Sequence, residues 1–153
     1  MNELALRKAT SSDVASARAL AREFGYVELD ELVFAQTFRA VLDDPSQQVW
    51  LAEQKGSIAG LMSLTIKPQI RLAGFVVTID ELVVTEASRG EGVGTKLLDL
   101  ANTEALRVRA RRLELHTARG RPSYERGFYV KNGFTEVDSA VMRWNDPALR
   151  SGG

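Results

Sequence analysis

The feature that most constrains the fold of this chain is a glycine-rich connection between an apolar strand and an amphipathic helix. The strand is predicted at 79–84, the helix at 96–109, and a second apolar strand at 113–117. A strand, a crossover helix and a second strand of the same sheet form a right-handed unit with parallel strands. Ligands of such sheets bind at the carboxyl ends of the strands, where this connection lies. We call the connection the glycine turn; it is the segment Arg89-Gly90-Glu91-Gly92-Val93-Gly94-Thr95.

The composition of the glycine turn indicates an anion-binding site. Glycine has no Cβ, so backbone N–H groups can approach an anion closely, and the N-terminal end of the following helix adds partial positive charge. A P-loop requires G-x-x-x-x-G-K-[ST] and a dinucleotide fold requires G-x-G-x-x-G, whereas this chain has Arg-x-x-Gly-x-Gly. The turn therefore predicts a pyrophosphate site that belongs to neither of these nucleotide motifs.

A second local signal is a change of phase in the strand 75–84. Apolar residues occupy alternate positions from Phe75 to Ile79, but the next apolar pair, Leu82 and Val84, falls out of phase with them. Such a shift is typical of a β-bulge, in which one extra residue re-aims the side chains. The sequence predicts this bulge at Asp80-Glu81.

Hydrophobic periodicity and breaker residues predict the other elements. In chain order they are helices at 14–24 and 32–42, a hairpin with strands at 49–52 and 58–66 that ends at Pro68, a short helix at 123–131 and a terminal hairpin at 134–144.

The composition of the chain argues against several classes of partner and of catalytic group. The length of 153 residues predicts one domain, 1–148, followed by a disordered tail, 149–153. Basic and acidic residues number 20 each, so no basic excess indicates a nucleic-acid or membrane partner. The chain has no cysteine and a single histidine, His116, so we expect no thiol nucleophile and no metal site. Without a leader-like start or a long apolar stretch, we expect a cytoplasmic protein.

Two groups of residues have more than one interpretation at this stage. The arginines crowded between 107 and 126 are either a solvated helix end or an attraction for phosphates. His116, in the predicted strand 113–117, is interpreted as a structural histidine rather than an acid–base group.

The glycine turn and its flanking segments resemble the GNAT family of N-acetyltransferases. The central motif of that family is Gln or Arg, two residues, Gly, one residue, Gly or Ala, and Arg89, Gly92 and Gly94 match it. Three further segments resemble the family: 79–84 its fourth strand, Phe128-Tyr129-Val130-Lys131-Asn132-Gly133-Phe134 its Phe-Tyr-x-x-x-Gly-Phe segment, and 6–13 its first strand and turn.

The resemblance implies an α/β (α+β) GNAT fold. Its mixed central sheet has six to seven strands, splayed at the fourth and fifth strands, and about four helices flank it. It also implies acetyl-CoA as cosubstrate, a small amine as the acetyl acceptor, and a homodimer. The expected acetyl-CoA-binding residues lie at the end of the fourth strand and in the glycine turn: Leu82, Val83, Val84, Arg89, Gly90, Glu91, Gly92, Val93, Gly94 and Thr95.

The implied activity is transfer of acetyl to a primary amine by direct attack, for which the amine must lose a proton. An alkylammonium with a pKa of about 10.4 is almost wholly protonated at neutral pH, so a nearby base matters. The resemblance places an acid at the predicted bulge, and we favour Glu81 over Asp80 as the base. The alternative is that one carboxylate is a solvated charge and the other binds the ammonium of the substrate. A backbone N–H near Leu82 or Val83 is expected to meet the charge that develops on the acetyl oxygen.

Three aromatic residues complete the expected site. Tyr129 matches the family tyrosine that points at the CoA sulfur; the alternative is an aromatic of the core. Phe24 and Tyr26 lie in the segment that sets substrate choice in the family, and with Asp80 they are the expected substrate-binding residues.

The chain departs from the family pattern before the tyrosine. Many members have Asn seven residues and Ala four residues before it, where this chain has Pro122 and Glu125. The departure predicts a differently shaped segment at 120–122.

Two other functions remain open from the sequence. A peptide or protein N-acetyltransferase would need an open groove beside 26–31. A non-catalytic acetyl-CoA sensor would keep the glycine turn but would not need the acids or Tyr129.

Overall fold

The computed structural model of the chain describes residues 3–25 and 30–149. These residues form two compact units, of which the first ends at His116 and the second begins at Thr117. One domain over 1–148 stays a prediction. The predicted tail lies outside the described residues, except for Leu149.

The first unit is built on a mixed sheet of five strands in the spatial order β1-β2-β3-β4-β5. Neighbouring strands are antiparallel except for β4 and β5, which are parallel and are joined by a crossover helix as predicted. The strands are β1 (Leu4–Lys8), β2 (Gln47–Gln54), β3 (Ser57–Gln69), β4 (Gly74–Val84) and β5 (Arg112–Leu115), and the helices are α1 (Val14–Glu23), α2 (Glu31–Asp43) and α3 (Val93–Arg107).

The helices cover opposite faces of this sheet. Val49 and Leu61 pack in a cluster with Ala17 of α1 and Phe38 of α2, so these two helices lie on one face. The neighbouring Gly60 faces the other side, where a Cβ would lie 3.1 Å from side-chain atoms of α3. Glycine at this position therefore lets α3 pack closely against the sheet. Over the described ranges, every helix lacks the combination of length and apolar composition that spanning a membrane requires.

A network of charges joins the first strand to the first helix. Arg7 of β1 donates hydrogen bonds to both carboxylate oxygens of Asp13, at 2.8 and 2.9 Å, and to Glu53 of β2. Asp13 is buried and also accepts a hydrogen bond from the backbone N–H of Thr10. The hydrogen bonds from Arg7 lower the pKa of Asp13 to about 2. The network therefore favours the ionised carboxylate at the start of α1.

Two predicted boundaries in the first unit were wrong. The hairpin does not end at Pro68, because β3 continues to Gln69. β2 pairs with β3 only as far as Thr65, so one side of β3 is an edge at Pro68, where a missing N–H is tolerated. The strand predicted at 113–117 ends at Leu115.

The second unit contains two single-turn helices, α4 (Pro122–Glu125) and α5 (Phe128–Lys131). The single helix predicted at 123–131 was therefore wrong. Gly127 separates the two turns with a φ of 71°, a left-handed conformation that ends one helix and begins the next.

The predicted terminal hairpin was also wrong, because the described residues 134–149 contain no strand. Side-chain hydrogen bonds tie Glu136 to Arg119 and Tyr124 instead. Farther along, a local backbone bond joins Ser139 to Val137, without the ladder of bonds that a hairpin has. An alternating apolar pattern forms a strand only where a neighbouring strand supplies ladder bonds. The sheet of the described residues accordingly has five strands rather than the predicted six to seven.

Candidate active site

A β-bulge lies in β4 at the predicted place. Ser63 of β3 is paired with Glu81 and the next residue, Leu64, with Ile79, so Asp80 is the extra residue. In a regular strand Ile79 and Leu82, which are three positions apart, would lie on opposite faces of the sheet. The bulge places both on the α3 face, because their partners Leu64 and Met62 are two positions apart on β3.

The same bulge turns two carboxylates toward the α1 side of the sheet. Glu81 shares a face with its partner Ser63, and Asp80 accepts a hydrogen bond from Thr65, two positions along that face. Helix α1 packs over β3 and β4 on this side. Asp80 and Glu81 are therefore adjacent acids on the α1 side of the sheet; Thr65 donates to Asp80, whereas Glu81 lies opposite Ser63.

Glu81 combines an exposed surface with a partly desolvated charge. Its side chain is exposed to solvent. Protein atoms around the carboxylate nevertheless raise the pKa of Glu81 by desolvation, and the charge of Asp80 raises it further. The direction of the pKa shift is that of a carboxylate suited to accept a proton.

Beyond the bulge, β4 has backbone groups that no described strand pairs with. β5 pairs with β4 only from Val76 to Ile79, which is the predicted splay between the fourth and fifth strands. Thr85 donates a backbone hydrogen bond to Ala59, so by the alternation of an antiparallel ladder the N–H groups of Leu82 and Val84 point away from β3. The N–H of Val83 points toward β3. Of the two expected donors, Leu82 is thus the one that faces the open edge.

The glycine turn leads from this edge into α3. Gly90 and Gly92 have φ values of 82° and 83°, in the left-handed region, and Gly92 caps the helix. No described side chain caps α3, so the N–H groups of its first turn, from Val93 to Thr95, are available to a ligand. The Nε of Arg89 donates to the Val84 carbonyl at 3.3 Å. The glycine turn thus presents backbone N–H donors at the N-terminal end of a 15-residue helix.

The predicted substrate-binding residues are placed only in part. Phe24 follows α1 directly, and Glu23 accepts a hydrogen bond from the backbone N–H of Glu86, just after β4. The end of α1 therefore lies near the carboxyl end of β4, on the side of the sheet toward which the two acids point. Tyr26 and most of the predicted 26–31 loop lie outside the described residues.

Tyr129 belongs to the second unit, where it lies in α5. Its ring makes edge contacts with Phe128 and Phe134, at centroid distances of 5.1 and 6.1 Å. Burial raises the pKa of Tyr129, an effect that Arg121 and Arg126 oppose. The phenol is therefore protonated at neutral pH and can act as a donor.

The arginines at 107–112 do not lie at the glycine turn. Arg107 ends the helix that begins at the turn, and a helix of 15 residues is about 22 Å long. Arg107 pairs with Glu104 at 2.7 Å, and Arg112 begins β5 at the end farthest from the site. The interpretation as a solvated helix end applies to this group.

His116 does not lie within a strand, contrary to the prediction. It is exposed, directly after the end of β5. The strand stops there because the bulge carries β4 away from its parallel partner.

Sequence reasoning missed two hydroxyl residues of β3. Thr65 donates to Asp80, and Ser63 is paired with Glu81. Neither has a distinctive motif, and only the register of β3 against β4 reveals them. No group of three or more metal-ligating side chains occurs in the part of the chain that the structure describes.

Comparison with known proteins gives a family and a fold. The acetyltransferase (GNAT) family matches residues 13–134. An aminoalkylphosphonate N-acetyltransferase of Salmonella typhimurium (strain LT2) is 36% identical over 131 residues, which cover 86% of this chain and 84% of that protein.

Two solved structures share the fold at lower identity. A transcriptional regulator from Bacillus halodurans C-125 has a TM-score of 0.83 and 22% identity, covering 94% of this chain and 100% of that one. An aminoglycoside N-acetyltransferase in complex with CoA has a TM-score of 0.79 and 14% identity, covering 95% and 96%. With the family match over most of the sequence, these findings show that the chain belongs to the GNAT acetyltransferase family and is an N-acetyltransferase with acetyl-CoA as cosubstrate.

Proposed function

We propose that the enzyme transfers acetyl from acetyl-CoA to the primary amine of a small molecule, with Glu81 as the base. The observation that carries this proposal is the bulge at Asp80, which sets two carboxylates beside the open edge of β4. Acetyl-CoA, when bound, supplies an acetyl group on a thioester. The chain must then bind that donor, position an amine and accept its proton.

The backbone of the glycine turn fits the phosphates of the donor. The uncapped N–H groups at the start of α3 are anion donors, and a Cβ built at Gly92 would meet no protein atom within 4 Å. The proposed binding residues are those predicted from the sequence, with Leu82 and Val84 offering backbone groups at the open edge. The N–H of Leu82 would stabilise negative charge that develops on the acetyl oxygen.

The two acids have separate proposed roles. Thr65 holds Asp80, which suits an ion that binds the ammonium of the acceptor. The carboxylate of Glu81 accepts no hydrogen bond from a described residue, and its raised pKa favours proton uptake. Phe24, at the end of α1, would contact the rest of the acceptor. Tyr129 would donate a hydrogen bond to the sulfur that leaves.

The acceptor is best sought among small amines, aminoalkylphosphonates first. The relative from Salmonella is 36% identical and acts on that class. Neighbouring carboxylates attract the ammonium end of such a molecule.

Release of CoA from a panel of amines tests the proposal. The panel pairs each aminoalkylphosphonate with the alkylamine that lacks the phosphonate, and adds diamines, aminoglycosides and peptides. Turnover with small amines is expected. Turnover with peptides alone would contradict the small-molecule acceptor, and tight binding of acetyl-CoA without any turnover would favour a sensor.

We also infer that the enzyme is a cytoplasmic homodimer. Four large apolar side chains between residues 137 and 144 are exposed, by 57–88% of their surface, and monomeric proteins seldom expose large apolar patches. They are Val137, Val141, Met142 and Trp144. Sedimentation should therefore give twice the chain mass of 16.9 kDa. A single-chain mass that Met142→Ser and Trp144→Ser leave unchanged would contradict the dimer.

A further inference from the structure

Two arginines of the second unit lie close to Tyr129. The guanidinium of Arg126 lies 5.6 Å from the centre of the Phe128 ring, and that ring makes an edge contact with Tyr129. Arg121 directly precedes α4, and Arg126 directly follows it. Burial raises the pKa of Tyr129, and the positive charges of both arginines oppose this rise. The phenol of Tyr129 therefore lies in a positive potential.

Arg126 is a cation that no described carboxylate neutralises. Its side chain is exposed, lies over the Phe128 ring and donates to no described residue, whereas Arg119 pairs with Glu136 at 2.8 Å. A planar guanidinium offers a fork of N–H donors that matches the oxygens of a carboxylate, phosphate or phosphonate. Arg126 therefore presents donors for an oxyanion.

The chemistry of the proposed reaction limits which anion reaches this place. Tyr129 is the proposed donor to the sulfur of acetyl-CoA. The acceptor amine attacks the carbon bonded to that sulfur, and reacting atoms approach each other to roughly 3 Å. In short aminoalkylphosphonates only one or two carbons separate the nitrogen from the phosphorus. The phosphonate of such an acceptor therefore comes close to the sulfur and to the charges around Tyr129.

The phosphates of acetyl-CoA suit this place less well. They lie at the other end of the cosubstrate, and the whole pantetheine arm separates them from the sulfur. The glycine turn already offers backbone N–H donors for them. The anion beside Tyr129 is thus better supplied by the acceptor.

We propose that Arg126, assisted by the charge of Arg121, binds the phosphonate of the acceptor, and that this contact sets a preference for aminoalkylphosphonates over alkylamines. The guanidinium engages two of the three phosphonate oxygens in parallel N–H···O bonds. The inference rests on the proposed function, in which a small amine is acetylated with Tyr129 at the sulfur.

Steady-state kinetics of wild type and Arg126→Gln with aminoethylphosphonate and with ethylamine test the inference. Wild type should prefer aminoethylphosphonate. Arg126→Gln should lower kcat/KM for aminoethylphosphonate at least tenfold more than kcat/KM for ethylamine, because a hydrogen bond between charged groups is lost with the phosphonate alone. Arg119→Gln is the matched control, since Glu136 already neutralises that arginine, and it should keep the wild-type preference. Calorimetry should give Arg126→Gln the wild-type affinity for acetyl-CoA.

The outcomes separate this inference from the proposed function. Equal losses with both amines in Arg126→Gln, or a loss of affinity for acetyl-CoA, would overturn the phosphonate site. Wild-type turnover of ethylamine without any preference for aminoethylphosphonate would also overturn it while still supporting the enzyme. Absence of turnover with every amine would instead overturn the proposed function. Should Arg126→Gln not fold, ethylphosphonate must inhibit wild type in competition with aminoethylphosphonate, and a lack of inhibition would overturn the site.

Discussion

At the scale of single residues, two adjacent carboxylates have different surroundings. Thr65 donates a hydrogen bond to Asp80, whereas desolvation and the charge of Asp80 raise the pKa of Glu81. A base must be ionised to accept a proton, so turnover is expected to fall as the pH drops through the raised pKa of Glu81. The difference between the two environments is the basis of their proposed roles.

Glu81→Gln should lower kcat by about a hundredfold or more, the usual contribution of a general base. It should also remove the acidic limb of the pH–rate profile. Asp80→Asn is the matched control and should mainly raise KM for the amine. An acidic limb that survives in Glu81→Gln would assign the proton to another group.

Tyr129→Phe should slow turnover and spare the binding of acetyl-CoA. Burial raises the pKa of Tyr129, so the phenol stays protonated, which suits its proposed role as a hydrogen-bond donor to sulfur. Loss of one such hydrogen bond corresponds to roughly a tenfold fall in kcat. Steady-state kinetics measures the fall in kcat, and calorimetry measures whether the affinity for acetyl-CoA is unchanged. Equal losses in affinity and kcat would contradict a role of Tyr129 in the chemical step.

At the scale of elements, a strand and a turn supply the proposed acetyl-CoA site mainly through backbone groups. The bulge leaves N–H groups of β4 without a partner strand among the described residues, and the glycine turn begins α3 without a described side-chain cap. The phase change in the sequence predicted the bulge. Two groups of alternating apolar residues that are out of phase can lie on one face of a strand only if an extra residue separates them. The positions of Ser63 and Thr65 beside the two acids could not be predicted, because the sequence of a strand does not show which residues of the neighbouring strand lie opposite it.

Gly92→Ala should weaken acetyl-CoA binding more than it destabilises the fold. A side chain at a φ of 83° strains the backbone by about 1–3 kcal/mol and brings a methyl group to the proposed phosphate site. Gly56→Ala is the matched control, with a φ of 75° and equally open space in the β2–β3 hairpin. Calorimetry should show a loss of affinity for Gly92→Ala alone. The same affinity in both variants would remove the glycine turn from the binding site.

The charged network at the start of α1 makes a prediction about stability in acid. The folded-state pKa of Asp13, about 2, is below its ordinary value of 3.8, so its contribution is present above pH 4 and is lost as the pH falls toward 2. The contribution is at most about 2 kcal/mol, since Arg7 is 37% exposed and water screens the pair.

Denaturant unfolding at several pH values checks this prediction in wild type and Asp13→Asn. The difference between the two should shrink between pH 4 and pH 2. A constant difference across that range would show that the ionised carboxylate does not stabilise the fold.

At the scale of the whole molecule, local patterns predicted the first unit better than the second. The crossover unit has strong local signals in its apolar runs and glycine turn, and it formed as predicted. The terminal hairpin did not form, because alternation at 134–144 says nothing about whether a neighbouring strand is available. The prediction that His116 lies within a strand was wrong for a related reason, since the end of β5 depends on where β4 stops pairing with β5.

The most direct measurement of the central claim is thermal unfolding with and without acetyl-CoA. A ligand at a hundred times its Kd should add about 2.7 kcal/mol of stability, and for a chain of this length that raises Tm by roughly 5–10 °C. We predict such a rise for wild type and a smaller one for Gly92→Ala at the same concentration. No rise in wild type at millimolar acetyl-CoA would contradict the proposed binding site at the glycine turn and the open edge of β4.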